Sequence, residues 1–209
     1  MILDDLLGVR PYLYHLTSRE NLPSIVRRKK LLSANRILER AGRLDLLRTR
    51  RLRHEEVRID DTRHLLRDQL PLQAGNIAFD EGVTFDAFVE LLNTLVFFWP
   101  GGETGPIRMG VNHFGRYAAE RPAVLRVEFS TLLDANPGLV PRLARVNSGA
   151  PRCHPTAGKG RRGHSTFTPP AHFQGTAGDV REVVFEGQVV LPAQVEVGTI
   201  RGNLWMPAQ

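Results

Sequence analysis

Apolar and polar positions follow two rhythms along the chain, a helical one first and a strand-like one later. Tyr12 to Leu16 is a short, mostly apolar run that reads as a strand. Ser18 then stands where a helix cap is wanted, before a helix from Arg19 to Lys29 with Leu22, Ile25 and Val26 at i, i+3 and i+4. A second helical stretch, about Ala34 to Leu47, carries Ile37, Leu38, Ala41 and Leu44. Arg63 to Leu70 is expected to add a short turn of helix, and Thr84 to Leu92 a further helix capped by Thr84. From Leu95 the pattern changes, because Leu-Val-Phe-Phe-Trp before Pro-Gly-Gly has the length and the ending of a buried strand. A helix from Asn112 to Ala119 precedes the alternating run Val124 to Phe129. Val140 to Val146 alternates in the same way, and Val180 to Val184, Gln188 to Val190 and Val195 to Ile200 read as closing strands separated by Gly or Pro. Residues 147–178, rich in Gly, Pro, Ser, Thr and His, form a loop of a length that is usually functional or disordered.

Helices early and short strands late predict an α+β fold instead of repeated βαβ units. With 209 residues the chain fits one domain, 1–209, in which residues of about 34–92 form a helical insertion. Hydrophobic residues at 42% and charged residues at 24% exclude a wholly disordered or fibrous chain. The lone cysteine, Cys153, excludes an internal disulfide and a multi-cysteine zinc site, so a cytoplasmic home is the default expectation. No secretory signal is visible, and the longest apolar stretch, Leu95 to Trp99, is too short to span a bilayer, so no membrane role is expected.

Charge adds a direction. The balance of 28 basic against 22 acidic residues gives +6, and Arg27 to Arg67 alone holds 14 of the basic residues with six acidic ones, so the remainder is slightly acidic. Such a block is either a solvated helical face or a surface that docks phosphates. Arginine predominates in it, and the planar guanidinium fork suits phosphate oxygens, so Arg48, Arg50 and Arg53 are candidates for nucleic-acid contact.

Several chemistries are set aside. There is no Walker-type loop or G-x-G-x-x-G, since Gly158-Lys159-Gly160 lacks the strand and helix that such loops join. Seven histidines are scattered without an H-x-x-x-H pair, so no metal is expected. Cys153 and His154 are adjacent in sequence and do not face each other as a nucleophile and base would, and Ser148 and Ser165 lack a G-x-S-x-G elbow.

What remains is Tyr14-His15-Leu16-Thr17 at the end of the first strand, just before Asn21-Leu22 on the next helix. Alternation puts His15 and Thr17 on one face, beside a helix N-terminus whose free N–H groups suit a ribose or a phosphate. The alternative is that Thr17 or Ser18 caps the helix and His15 is a core histidine. Glu182 lies within the otherwise apolar Val180 to Phe185; there it is either an outward, solvated side chain or an inward carboxylate that needs a partner or a task.

The opening segment Tyr14-His15-Leu16-Thr17, Asn21-Leu22-Pro23-Ser24-Ile25-Val26 and Leu31-Leu32-Ser33 resembles the first strand and helix of the DarT-type ADP-ribosyltransferases. More of the chain resembles an uncharacterised bacterial group distantly similar to those enzymes. The matching pieces are Arg50-Arg51, Leu66-Arg67-Asp68-Gln69 with Pro71, Leu92-Asn93 with Val96-Phe97-Phe98-Trp99, Val146-Asn147-Ser148-Gly149-Ala150, and Arg162-Gly163 with Thr166-Phe167. The resemblance implies an ADP-ribosyltransferase-like split β-sheet core and NAD as a substrate. It further implies NAD contacts by His15, Thr17 and Asn21, and catalysis by Glu182. The family's Arg-Ser-Pro is missing after Phe97-Phe98-Trp99, which leaves the catalytic arginine open among Arg51, Arg53 and Arg67, and Leu95 stands where the related group tends to have Arg.

Transfer from NAD passes through an oxocarbenium-like state, which one carboxylate under the ribose can stabilise. In that scheme Glu182 serves the ribose, Arg67 or Arg51 neutralises the pyrophosphate, and Arg162 and Thr166 form a second wall. The expected function is a mono-ADP-ribosyltransferase of nucleic acid, DNA before RNA or protein, with a toxin or phage-defence role and a neutralising antitoxin as partner. The alternatives are a non-catalytic nucleic-acid-binding module on the same fold and an RNA 2′-phosphotransferase-like enzyme.

Overall fold

In a computed structural model, residues 2–199 and 205–208 are described. Six α-helices occur among them: α1 (Ile2–Val9), α2 (Leu22–Arg28), α3 (Ala34–Arg40), α4 (Phe85–Asn93), α5 (Arg108–Arg116) and α6 (Phe129–Asp134). The first half holds the strands β1 (Tyr12–Thr17), β2 (Lys30–Leu32), β3 (Glu55–Ile59), β4 (Thr62–Leu66), β5 (Ile77–Phe79), β6 (Leu95–Gly102) and β7 (Gly105–Pro106). The second half adds β8 (Ala123–Glu128), β9 (Arg142–Ala144), β10 (Cys153–His154), β11 (Gly158–Arg162) and β12 (Glu182–Glu186). It closes with β13 (Gln188–Val190), β14 (Glu196–Gly198) and β15 (Met206–Pro207). The fold is α+β. Ile200, the end of one expected strand, lies outside the described residues.

The main sheet has eight strands, ordered β15-β14-β8-β1-β6-β12-β9, with β7 hanging on β6. Its central strands bury both faces, and alternation sorts their side chains: Val183 and Phe185 join Leu6, Leu13, Phe98, Phe129 and Leu132 in one cluster, while Val184 joins Phe88, Val89, Leu92 and Leu95 in another. β6 is shared. Its first residues pair with β12, from Leu95↔Glu186 to Phe98↔Val183, and its later ones with β1, from Trp99↔Tyr14 to Gly101↔Tyr12. The central strand therefore hands over from one antiparallel partner to the other between Phe98 and Trp99.

At Gly101 the β7 backbone closes in, so a Cβ there would stand 2.2 Å from the Gly105 carbonyl oxygen and 2.6 Å from Pro106 Cα. Backbone cannot step aside as a side chain can, and Gly101→Ala is expected to cost about 1–3 kcal/mol. Gly102→Ala, where nothing lies within 4 Å, serves as the control in a thermal melt.

Four expectations change. Residues 55–66 form a β-hairpin, β3 with β4, not a helical turn, and the segment 34–92 is accordingly a mixture that also includes β5. The tight turn at Asp60-Asp61, with Asp60 at φ 53°, returns the chain so that Val57, Ile59, His64 and Leu66 share the inward face. The helix at 34 stops at Arg40, where Gly42 turns left-handed at φ 69°, and a 3-10 turn follows at Leu44–Leu46. Ser18 makes no side-chain cap; Ser33 and Thr84 do, accepting from the Arg36 and Ala87 amides. The stretch 147–178 carries β10 and β11, and β11 pairs in parallel with β5.

Candidate active site at the strand handover

Beyond Tyr14 the β1 backbone no longer pairs with β6, and the His15 imidazole takes over: its Nδ1 donates to the Phe97 carbonyl at 2.8 Å. A carbonyl only accepts, so Nδ1 carries the hydrogen and Nε2 of the neutral ring is an acceptor. Burial pushes the ring's pKa down to about 4, partly opposed by that hydrogen bond and assisted by the positive Arg67. His15 is thus a neutral acceptor at physiological pH. Thr17, buried, lines the same cavity, and so does Leu16 between them.

Glu182 opens β12 with only 3% of its surface exposed, which rules out an outward, solvated glutamate. Both carboxylate oxygens accept the Ser148 amide at 3.2 Å. Burial raises its pKa to about 7, against the lowering effect of the Ser148 amide and of nearby Arg162. A carboxyl whose pKa is raised in this way, in a cavity wall, is chemically able to serve as a general base.

His15, Thr17, Asn21, Arg51, Arg67 and Glu182 all line one cavity of about 290 Å³. Within that set the roles separate. Asn21 is a clasp: its amide donates to the Leu65 carbonyl and its oxygen accepts the Leu65 amide, both at 2.9 Å, which pins the hairpin beside α2. Arg51 is also spoken for, giving Nε to the Arg67 carbonyl and Nη1 to Asn93 Oδ1, both at 2.9 Å. Arg67 is the freer cation. Its Nη1 reaches Glu120 at 2.8 Å and its guanidinium lies 4.4 Å over the Tyr117 ring, but its Nε is buried without a hydrogen-bond partner among the described residues.

Other expected site residues fall outside the cavity lining. Arg162, buried, donates to the Arg161 and Asn147 carbonyls, and Thr166 accepts the Gly163 amide. Arg162 thus braces the Asn147-Ser148 loop, and Thr166 caps the turn that follows β11, instead of walling the site. Arg48, Arg50 and Arg53 do not line it either: Arg48 pairs with Glu90 at 3.3 Å, exposed Arg53 with Glu55 at 3.7 Å, and Arg50 binds the Gln69 and Leu70 carbonyls. Of these three, Arg48 and Arg53 meet a carboxylate and, among the described residues, Arg50 only carbonyls.

Sequence reasoning passed over several lining residues. Asn147 to Ala150 and Asp68 stand out in the sequence only within matching motifs, and Ser148 otherwise only as a nucleophile without its elbow, although it holds Glu182; His64, His113 and Tyr117 carry no local signal. His113, its pKa pushed down to about 4 by burial, stacks at 5.4 Å on Trp99, so Trp99 is both core and cavity wall. Among the described residues no group of three His, Cys, Asp or Glu is placed to hold a metal ion, and no helix is long and apolar enough to cross a membrane.

No curated protein and no solved structure matches the chain. The profile of a family described as a family of unknown function (DUF7002) matches residues 11–195, a span that takes in His15, Thr17, Arg67, Ser148 and Glu182. On that match, which covers most of its length, the chain belongs to the DUF7002 family.

Proposed function

We propose that the chain is a NAD-dependent mono-ADP-ribosyltransferase acting on nucleic acid, with DNA the favoured acceptor. The observation that carries this reading is one cavity lined together by His15, Thr17 and the buried Glu182. Under it the main sheet is the split sheet of an ADP-ribosyltransferase-like core, and the β6 handover is the split.

Cleavage of the bond between nicotinamide and ribose builds positive charge on the ribose carbon. The ionised Glu182 would stabilise that charge and accept the proton of the incoming nucleophile, while the bonding pair leaves with nicotinamide. The His15 Nε2 would accept a ribose hydroxyl, with Thr17 beside it. Arg67, with an unused Nε–H, is the better match for the pyrophosphate, since the Arg51 fork is engaged inside the protein. That engagement also disfavours a phosphotransferase reading, which needs an arginine-centred site. Exposed Arg48 and Arg53 remain available to a nucleic-acid strand, and a toxin or phage-defence role with a neutralising antitoxin fits such an enzyme.

The test is incubation with labelled NAD and DNA, RNA or protein acceptors, wild type against Glu182→Ala. Loss of about 10²–10⁴ in turnover is expected; equal turnover in the two overturns the catalytic assignment, and salt-dependent DNA binding without turnover would indicate a non-catalytic module. Wild-type turnover should also rise with pH through about 7 as Glu182 ionises, and a profile flat from pH 5 to 9 would contradict its role as base.

A further inference from the structure

We infer that the hairpin end of the cavity is a nucleobase subsite in which the His64 imidazole pairs with the edge of the base. His64 stands opposite Val57 on the inward face of the hairpin, a face otherwise apolar and packed on Ile37, Leu38 and Leu46. It is 5% exposed, it lines the cavity, and its Nε2 has no hydrogen-bond partner among the described residues. Leaving a buried polar atom unpaired costs about 1–3 kcal/mol, and native proteins seldom accept this without a use.

The surroundings define what would satisfy it. Ile25, Leu31, Ile37 and Leu66 supply apolar walls, and Arg28 and Lys30 line the same cavity. Burial and the two nearby cations, Arg28 and Arg27, keep the ring neutral, so Nε2 offers a hydrogen bond and no charge. An aliphatic ligand would leave Nε2 unpaired, and a free phosphate would waste the apolar walls. A base attached to phosphate uses all three features: a ring to bury, an edge to pair and an anion for the cations. The subsite rests on the nucleotide reading of the site, and the base is either that of the dinucleotide or one on the acceptor strand.

Calorimetric titration tests it with three probes, adenosine monophosphate, a short single-stranded oligothymidylate and inorganic phosphate, against the wild type, His64→Gln and His64→Phe. At least one nucleotide probe should bind, weakened about tenfold or more by His64→Phe and much less by His64→Gln, which can still pair. Phosphate binding should not change. The responding probe tells which base occupies the slot. In the wild type, the His64 Nε2 nitrogen resonance should shift on saturation, a readout that survives even if a variant folds poorly. Failure of both nucleotide probes to bind, equal binding by His64→Phe, or an unmoved resonance overturns the subsite. Because none of these measurements needs turnover, a His64-dependent nucleotide site in a protein that leaves NAD intact would overturn the transferase reading alone.

Discussion

Glu182→Gln should melt several degrees above the wild type at pH 8 and level with it at pH 4. The carboxyl's pKa is raised from 4.5 to about 7 by burial, so the folded state prefers it protonated. A group shifted upward in this way contributes its stability below the unfolded pKa and loses it as pH rises through the folded one, here between about 4.5 and 7. Above that window the ionised carboxylate costs on the order of 3 kcal/mol. Glutamine keeps an oxygen for the Ser148 amide without the charge, and recovery of even half that cost moves the melting temperature of a domain of this size by about 2–4 °C per kcal/mol. Stability gained together with the loss of turnover proposed for Glu182→Ala would mark a side chain retained for chemistry. Equal melting at pH 8 would mean that the carboxylate is comfortable in its site. The His15 and His113 rings work in the opposite sense: their pKa values are lowered from 6.5 to about 4, so the stability tied to their neutral forms is full above pH 6.5 and lost as pH falls toward about 4, and the Glu182 effect is therefore read as the difference between the two variants at each pH.

The second large effect is expected at Arg51. Its guanidinium joins the Arg67 carbonyl to Asn93, Asn93 holds the Leu47 carbonyl, and Gln69 meets both the Arg51 amide and Asn93. Three chain segments converge on this one fork. Arg51→Ala removes two charge-assisted hydrogen bonds in a buried place and should cost about 3 kcal/mol or more in a thermal or denaturant melt without ligand. Arg51→Lys should recover little, because a single ammonium cannot span two acceptors set for a planar fork. A normal melt combined with lost anion binding would instead make Arg51 a ligand contact.

Much of the frame was legible from periodicity alone. β1, α4, the strand from Leu95 and the late strand bearing Glu182 each declare themselves through apolar spacing, and they hold the two ends of the candidate site. The hairpin was misread because Arg, Glu and Leu favour helix, and that preference masked the alternation of Val57, Ile59, His64 and Leu66 around Asp60-Asp61, itself a turn signal. The arginine run shows its charge in the sequence but not its partners: Glu90 lies far along the chain from Arg48 and still meets it. Distance along the chain also hid Asn21 with Leu65, Arg51 with Asn93 and Ser148 with Glu182. These contacts decide which polar residues serve structure and which face the cavity.

The division of β6 between two partners bears on how this fold can vary. His15 and Glu182 are each placed by a different ladder, and both ladders are measured from the same eight residues, Leu95–Gly102. One residue inserted or deleted there would turn every later side chain to the opposite face and slide one half of the site past the other by about 3.3 Å. The hairpin pairs with no other strand among the described residues, though its own alternation holds Val57, Ile59, His64 and Leu66 inward. Length changes should therefore be borne at its Asp60-Asp61 turn, beyond those residues, while β6 should keep its length across the family.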